Sequence, residues 1–123
     1  MILKTYARVV TGDMESTLTT LCTLTARNVD LHFTAGELEI ATVGNFCIIA
    51  APPEKHGALR EVVGPVVVDD LLQTRTDLLK HGAVIVQDSF DAPTGTVLYA
   101  RNIDGVIMEW LQLSAEYLQK TML

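Results

Sequence analysis

Positive charge is scarce in this chain of 123 residues: nine Lys plus Arg stand against fifteen Asp plus Glu, a formal net charge of -6. No basic cluster exists, and without one a phosphate backbone has nothing to hold it, which excludes nucleic acid as a partner. Long apolar runs are missing too. The longest, Val62–Val68 and Phe46–Pro53, are strand-sized and fall well short of the ~20 residues a membrane span requires. The opening Met1-Ile-Leu-Lys-Thr lacks a basic-then-apolar leader pattern, so a cytoplasmic location is the expectation. Cysteine is limited to Cys22 and Cys47, with no CxxC. They read as buried apolar thiols in a reducing compartment rather than as a disulfide or a metal pair. What is present, 49% hydrophobic and 20% charged residues, is too apolar for disorder and sized for one domain.

The pattern predicts a strand over Ile2–Val10, then Thr11-Gly12-Asp13 as a turn and helix cap. Met14, Leu18, Leu21 and Cys22 follow the spacing of a helix laying one stripe on a sheet. Val29–Thr34, Leu38–Val43 and Phe46–Ala51 read as three strands, with Ala35-Gly36 and Gly44-Asn45 turning the chain. The Pro-rich stretch from Pro52 to Gly57 breaks the pattern. It then recurs: a strand over Val62–Val68, a helix capped by Asp69-Asp70 and ended by Lys80-His81-Gly82, and strands over Ala83–Gln87, Thr96–Ala100 and Val106–Gln112. Ser114 opens a short terminal helix. The expectation is one α+β domain of two βαβββ modules, residues 1–51 and 62–113, with a joint at 52–61 and a terminal helix at 114–122. One helix per module covers one face of each sheet. The other face must be buried by the second half, a partner chain or a ligand.

This arrangement resembles the vicinal oxygen chelate superfamily, which holds glyoxalase I, extradiol dioxygenases, fosfomycin-resistance and bleomycin-resistance proteins. The resemblance reaches to about Leu113. Its most specific part is Tyr99-Ala-Arg-Asn-Ile-Asp-Gly-Val-Ile-Met-Glu-Trp-Leu, similar to the family's aromatic-x-x-Asp-Pro-Asp-Gly-x-x-x-Glu-hydrophobic signature. Asp104, Gly105 and Glu109 match, while Asn102-Ile103 replace Asp-Pro. Val68-Asp69 with Gly82-Ala83 is similar to the segment opening the family's second module. The resemblance implies an open, U-shaped mixed barrel with helices on the convex face, a pocket on the concave side, and dimers. It also implies four metal-ligand positions, which fall here at Lys4 or Tyr6, near Ile49, at Val63 and at Glu109. Only Glu109 is a metal ligand of the usual kind, and one carboxylate does not hold a catalytic divalent ion. The expectation is therefore no metal and no other cofactor.

The concave face is expected to carry Tyr6, Arg8, Ile49, Val63, Val67, Glu109 and Leu111, with Tyr99 from the signature stretch. A lone buried carboxylate is costly, so Glu109 needs a companion. Arg8, sharing a strand face with Tyr6, is the first choice, and Arg101 the second. His32 is a candidate pocket residue or a structural, solvent-facing one; His56 and His81 read as solvated or helix-terminal. Three functions stay open. The leading one is a metal-free homodimeric binding protein for a partly apolar organic ligand, where the acidity of the chain favours a cation over an anion. An enzyme, lyase, isomerase or oxygenase, with an atypical metal site or with Glu109 as acid or base, is the alternative. A dimeric interaction module without a pocket is the third.

Overall fold

The computed structural model describes residues 1–122. Asp13 and Asp70 start the two long helices as the sequence predicts, their carboxylates accepting the Ser16 and Gln73 amides at 3.1 and 3.0 Å. Each satisfies one of the amides that a helix start leaves without a partner. In chain order the elements are β1 (Ile2–Thr5), β2 (Ala7–Thr11), α1 (Met14–Thr25), β3 (Leu31–Ala35), β4 (Leu38–Val43) and β5 (Phe46–Ala50). A short 3-10 turn (Pro53–Lys55) and α2 (His56–Arg60) follow, then β6 (Val62–Val68), α3 (Leu71–Lys80), β7 (Val84–Ala92), β8 (Gly95–Arg101), β9 (Ile107–Leu113) and α4 (Ala115–Thr121).

The strands form two mixed sheets that do not close, ordered β2-β5-β4-β3 and β1-β6-β9-β8-β7. The repeat is visible in the pairing: β2 runs parallel to β5, and β6 parallel to β9, with the remaining neighbours antiparallel. Two features depart from the sequence reading. The expected single strand over Ile2–Val10 breaks at Tyr6, so β1 pairs with β6 in the second sheet while β2 stays in the first. The joint also contains helical turns rather than plain loop.

The helices α1 and α3 cover the outer faces. Met14, Leu18, Leu21 and Cys22 pack on Ala41, Val43 and Ile48, and Leu71 and Leu78 pack on Val66, Leu98 and Trp110. The inner faces bury each other: Tyr6, Cys47 and Ile49 from the first half meet Val67, Val97, Leu111 and Leu113 from the second. Tyr117 and Leu118 of α4 pack on this same cluster, and Lys4 Nζ donates to the Thr121 carbonyl at 2.9 Å. Much of the cover that the sequence reading sought in a partner or ligand is thus intramolecular. Among the described residues no helix is long and apolar enough to cross a membrane.

Candidate functional site

Cross-strand register decides which side chains share the inner face. In the first sheet Arg8, Cys47, Thr42 and Leu31 are successive partners across β2, β5, β4 and β3. In the second, Val67, Leu111, Val97 and Phe90 form the equivalent row, with Tyr99 opposite Glu109 beside it. Side chains directly opposite on neighbouring strands point the same way. The two rows therefore face each other across a cavity of about 530 Å³, within the range that holds a small organic molecule. Its walls are mainly apolar and include the Thr34–Gly36 and Asp91–Thr94 segments. The Phe90 and Tyr99 rings stack there, centroids 6.1 Å apart.

A single charged couple sits at the floor. Arg8 Nη2 donates to Glu109 Oε1, and both side chains are largely buried, 7% and 14% exposed. The guanidinium also donates from Nε to the Gly64 carbonyl at 3.1 Å and from Nη1 to the Leu59 carbonyl at 3.2 Å. The short helix α2 supplies one acceptor and the start of β6 the other. A planar, fork-shaped cation can serve three separate acceptors at once, which a lysine ammonium on a flexible stem cannot reproduce. The companion expected for Glu109 is thus present in the structure.

Burial raises the Glu109 carboxyl above its ordinary value, and the Arg8 charge offsets this only in part. Burial likewise pushes the Tyr6 hydroxyl, the Tyr99 hydroxyl and the Cys47 thiol each up to about 12, with the Glu109 charge adding to the latter two. All three keep their protons at neutral pH, so Cys47 is no thiolate nucleophile there. The Glu109 shift has a stability consequence. The folded chain holds this proton at pH values where the unfolded chain has lost it. Its contribution is full below the ordinary value of 4.5 and fades as pH rises through the folded value. Glu109→Gln removes the titration. Its stability should differ from wild type by about 1–3 kcal/mol, and the balance should move toward the variant from about pH 4 to pH 8. Urea melts across that range test this; a difference independent of pH would refute it.

Of the residues expected at the site, Tyr6, Ile49, Tyr99, Glu109 and Leu111 line the cavity. Arg8 lies behind Glu109, and Val67 is fully buried in the inner cluster. Two are elsewhere. Leu31 and Phe33 face the cavity, so the strand period of two turns His32 outward. There its imidazole meets Glu39 near α1, half-exposed. Val63 is 44% exposed because the β6–β9 register shifts by one residue between Val63 and Val66. Such a bulge moves the residues before it to the opposite face. Arg101, the second cation considered, is exposed. Phe33, Thr42, Cys47 and Phe90 line the cavity without having been expected there. Thr42 and Cys47 follow from Arg8 once the parallel β2–β5 register is known; Phe90 lies beyond the end of the expected strand Ala83–Gln87, which the structure extends to Ala92.

These residues do not fit a divalent metal. From the N-terminal segment it is Arg8 of β2 that meets Glu109 across the two sheets, whereas Lys4 of β1 bonds the Thr121 carbonyl. Ile49 offers no donor, and Val63 points away. Among the described residues no group of three or more His, Cys, Asp or Glu is placed to hold an ion. A metal at Glu109 would also stand against the guanidinium that already bonds it.

No protein-family model matches the sequence, and no curated protein matches it. Solved structures do. A hypothetical, uncharacterized protein from Methanosarcina mazei is 25% identical, with a TM-score of 0.86, covering 93% of this chain and 94% of that one. Methylmalonyl-CoA epimerase from Mycobacterium tuberculosis is 10% identical at a TM-score of 0.75, covering 96% of this chain and 91% of its own. A Streptomyces coelicolor methylmalonyl-CoA epimerase variant in complex with 2-nitronate-propionyl-CoA is 12% identical at 0.72, with coverage of 94% and 97%.

Proposed function

From a fold shared with the vicinal oxygen chelate superfamily, the epimerases above among its members, we propose that this chain binds a small, partly apolar organic molecule in its concave cavity without a metal. The observation that carries this reading is the Arg8–Glu109 couple at the floor of an otherwise apolar cavity. The guanidinium stands against Glu109, the carboxylate expected to ligate a metal, and it is a permanent cation tied to protein carbonyls. The cavity walls supply apolar area at about 25 cal/mol per Å² covered, and the couple supplies orientation.

A second reading rests on the raised proton affinity of Glu109. A carboxyl whose hold on its proton is strengthened by burial beside a cavity is suited to general acid–base work. With epimerases among the structural neighbours, proton transfer at a carbon acid is the reaction class to test. The experiment is a thermal-shift screen of apolar amides, amines, acids and thioesters, run on untagged protein before and after chelation, with metal content measured. Shifts that survive chelation are expected. Loss of every shift on chelation, with one equivalent of bound metal in the untreated protein, would overturn the metal-free reading.

We further propose a homodimer. The exposed apolar side chains Leu79, Val84, Val86, Ile103 and Val106 support it, because apolar area left at a surface favours association. Light scattering over a dilution series into the micromolar range should give twice the chain mass. A constant monomer mass would remove this proposal.

A further inference from the structure

The charge of the bound group follows from what the floor of the cavity already contains. Arg8 spends three of its nitrogens on Gly64, Leu59 and Glu109. Two of its five N–H groups remain, but Arg8 does not itself line the cavity and its charge is already balanced by Glu109, so an anionic head would lose its hydration for a cation it must share. Glu109 in turn has one oxygen, Oε1, committed to Arg8. Oε2 takes no hydrogen bond among the described residues, and Glu109 lines the cavity. It accepts, but its charge is already balanced by the guanidinium. A cationic head would therefore enter a buried pair that is neutral in sum. It would lose its hydration for a carboxylate it must share. Asp91, the other acid at the cavity, is exposed and adds no buried charge.

A donor stands beside that acceptor. The Tyr99 hydroxyl belongs to the residue directly opposite Glu109 in the β8–β9 register and faces the same cavity. On the opposing wall Thr42 is 4% exposed, and its Oγ1 is shut off from the cavity with the Tyr6 hydroxyl beside it. The Tyr99 hydroxyl is therefore the donor that faces a bound molecule beside Glu109. The remaining walls, with Phe33, Phe90, Tyr6 and Leu111, match an aromatic or branched aliphatic body.

We infer that the cavity selects an uncharged molecule whose apolar body ends in a group that both donates and accepts a hydrogen bond, a primary carboxamide being the simplest case. The donor of such a group meets Glu109 Oε2, and its acceptor meets the Tyr99 hydroxyl. The preference differs from that of the chain as a whole. Net acidity attracts cations at long range, whereas desolvation at the buried couple decides what stays bound.

The inference rests on the binding reading above, and the test separates the two. Calorimetric titration at pH 7.5 uses four probes with one ring system: indole-3-acetamide, indole-3-acetate, tryptamine and 3-methylindole. The amide should bind at least about tenfold more tightly than each of the others. Glu109→Gln should narrow the gap between amide and acetate. Tyr99→Phe, which removes only the hydroxyl, should weaken the amide by about fivefold to tenfold and leave 3-methylindole unchanged. Tighter binding of acetate or tryptamine, or equal binding of all four probes, would overturn this inference and leave the binding reading standing. No heat from any probe at millimolar concentration would defeat both.

Discussion

Arg8→Ala is expected to destabilise the protein by about 3–5 kcal/mol, since removing one partner of a buried ion pair leaves the other uncompensated. For a chain of this size that corresponds to a fall of roughly 10–20 °C in the melting midpoint. The reason is the number of groups abandoned at once. Glu109 loses its cation in a site where burial already disfavours its charge. The Gly64 and Leu59 carbonyls lose their donors. Those carbonyls belong to the first residues of β6 and to α2, so their loss also loosens the segment joining the two halves. Arg8→Lys should recover less than half of the loss, because one ammonium cannot span three acceptors in different directions. A double variant, Arg8→Met with Glu109→Leu, should be more stable than Arg8→Ala, since an apolar pair of similar volume avoids the unpaired charge. Urea denaturation of the set measures this. An Arg8→Ala protein as stable as wild type would show that the couple contributes nothing to the fold. The inner face would then owe its order to apolar packing alone.

How much of this was readable beforehand depends on the range of the interaction that fixes each feature. Helix starts at Asp13 and Asp70 are local, a side chain closing on an amide three residues ahead, and sequence spacing carries them. The sheet faces around Glu109 are also legible. Leu111 lines the cavity with it, while Met108 and Trp110 pack beneath α3; alternation within one strand decides that. The Arg8–Glu109 couple can be anticipated from the cost of a lone buried charge, without knowing which atoms meet. The break at Tyr6 cannot. Nothing between Ile2 and Val10 resembles a turn, and the chain divides there because two sheets compete for one segment. His32 shows an error in applying a sound rule. A residue between two cavity-facing neighbours on a strand must face away, and it does, against Glu39. Val63 was unreachable for another reason: alternation from Val67 places it inside, and only the bulge reverses it.

That bulge makes Gly64 the second most sensitive position at the site. Gly64 has φ of +108°, a conformation that side-chain-bearing residues rarely adopt. A Cβ built there would lie 2.8 Å from the Glu109 carbonyl oxygen and 2.9 Å from the Val66 amide nitrogen. Both are backbone atoms in the parallel β6–β9 pair, so no flexible side chain can move aside to relieve the contact. Gly64→Ala should therefore cost about 3 kcal/mol or more, combining the conformational penalty with displacement of a paired strand. The damage should not be confined to stability. The Gly64 carbonyl is the acceptor for Arg8 Nε, and Glu109 is on the strand that must shift. Moving either one re-aims the couple at the cavity floor. At a temperature where the variant is still folded, it should bind an apolar amide more weakly than wild type. Gly57→Ala is the matching control, since Gly57 sits in α2 with nothing close to its Cβ position. There the same added methyl should be neutral or slightly stabilising, because alanine is the better helix former. Equal melting midpoints for Gly64→Ala and Gly57→Ala would mean that β6 can give way at the bulge, and that the Arg8 clamp does not depend on its shape.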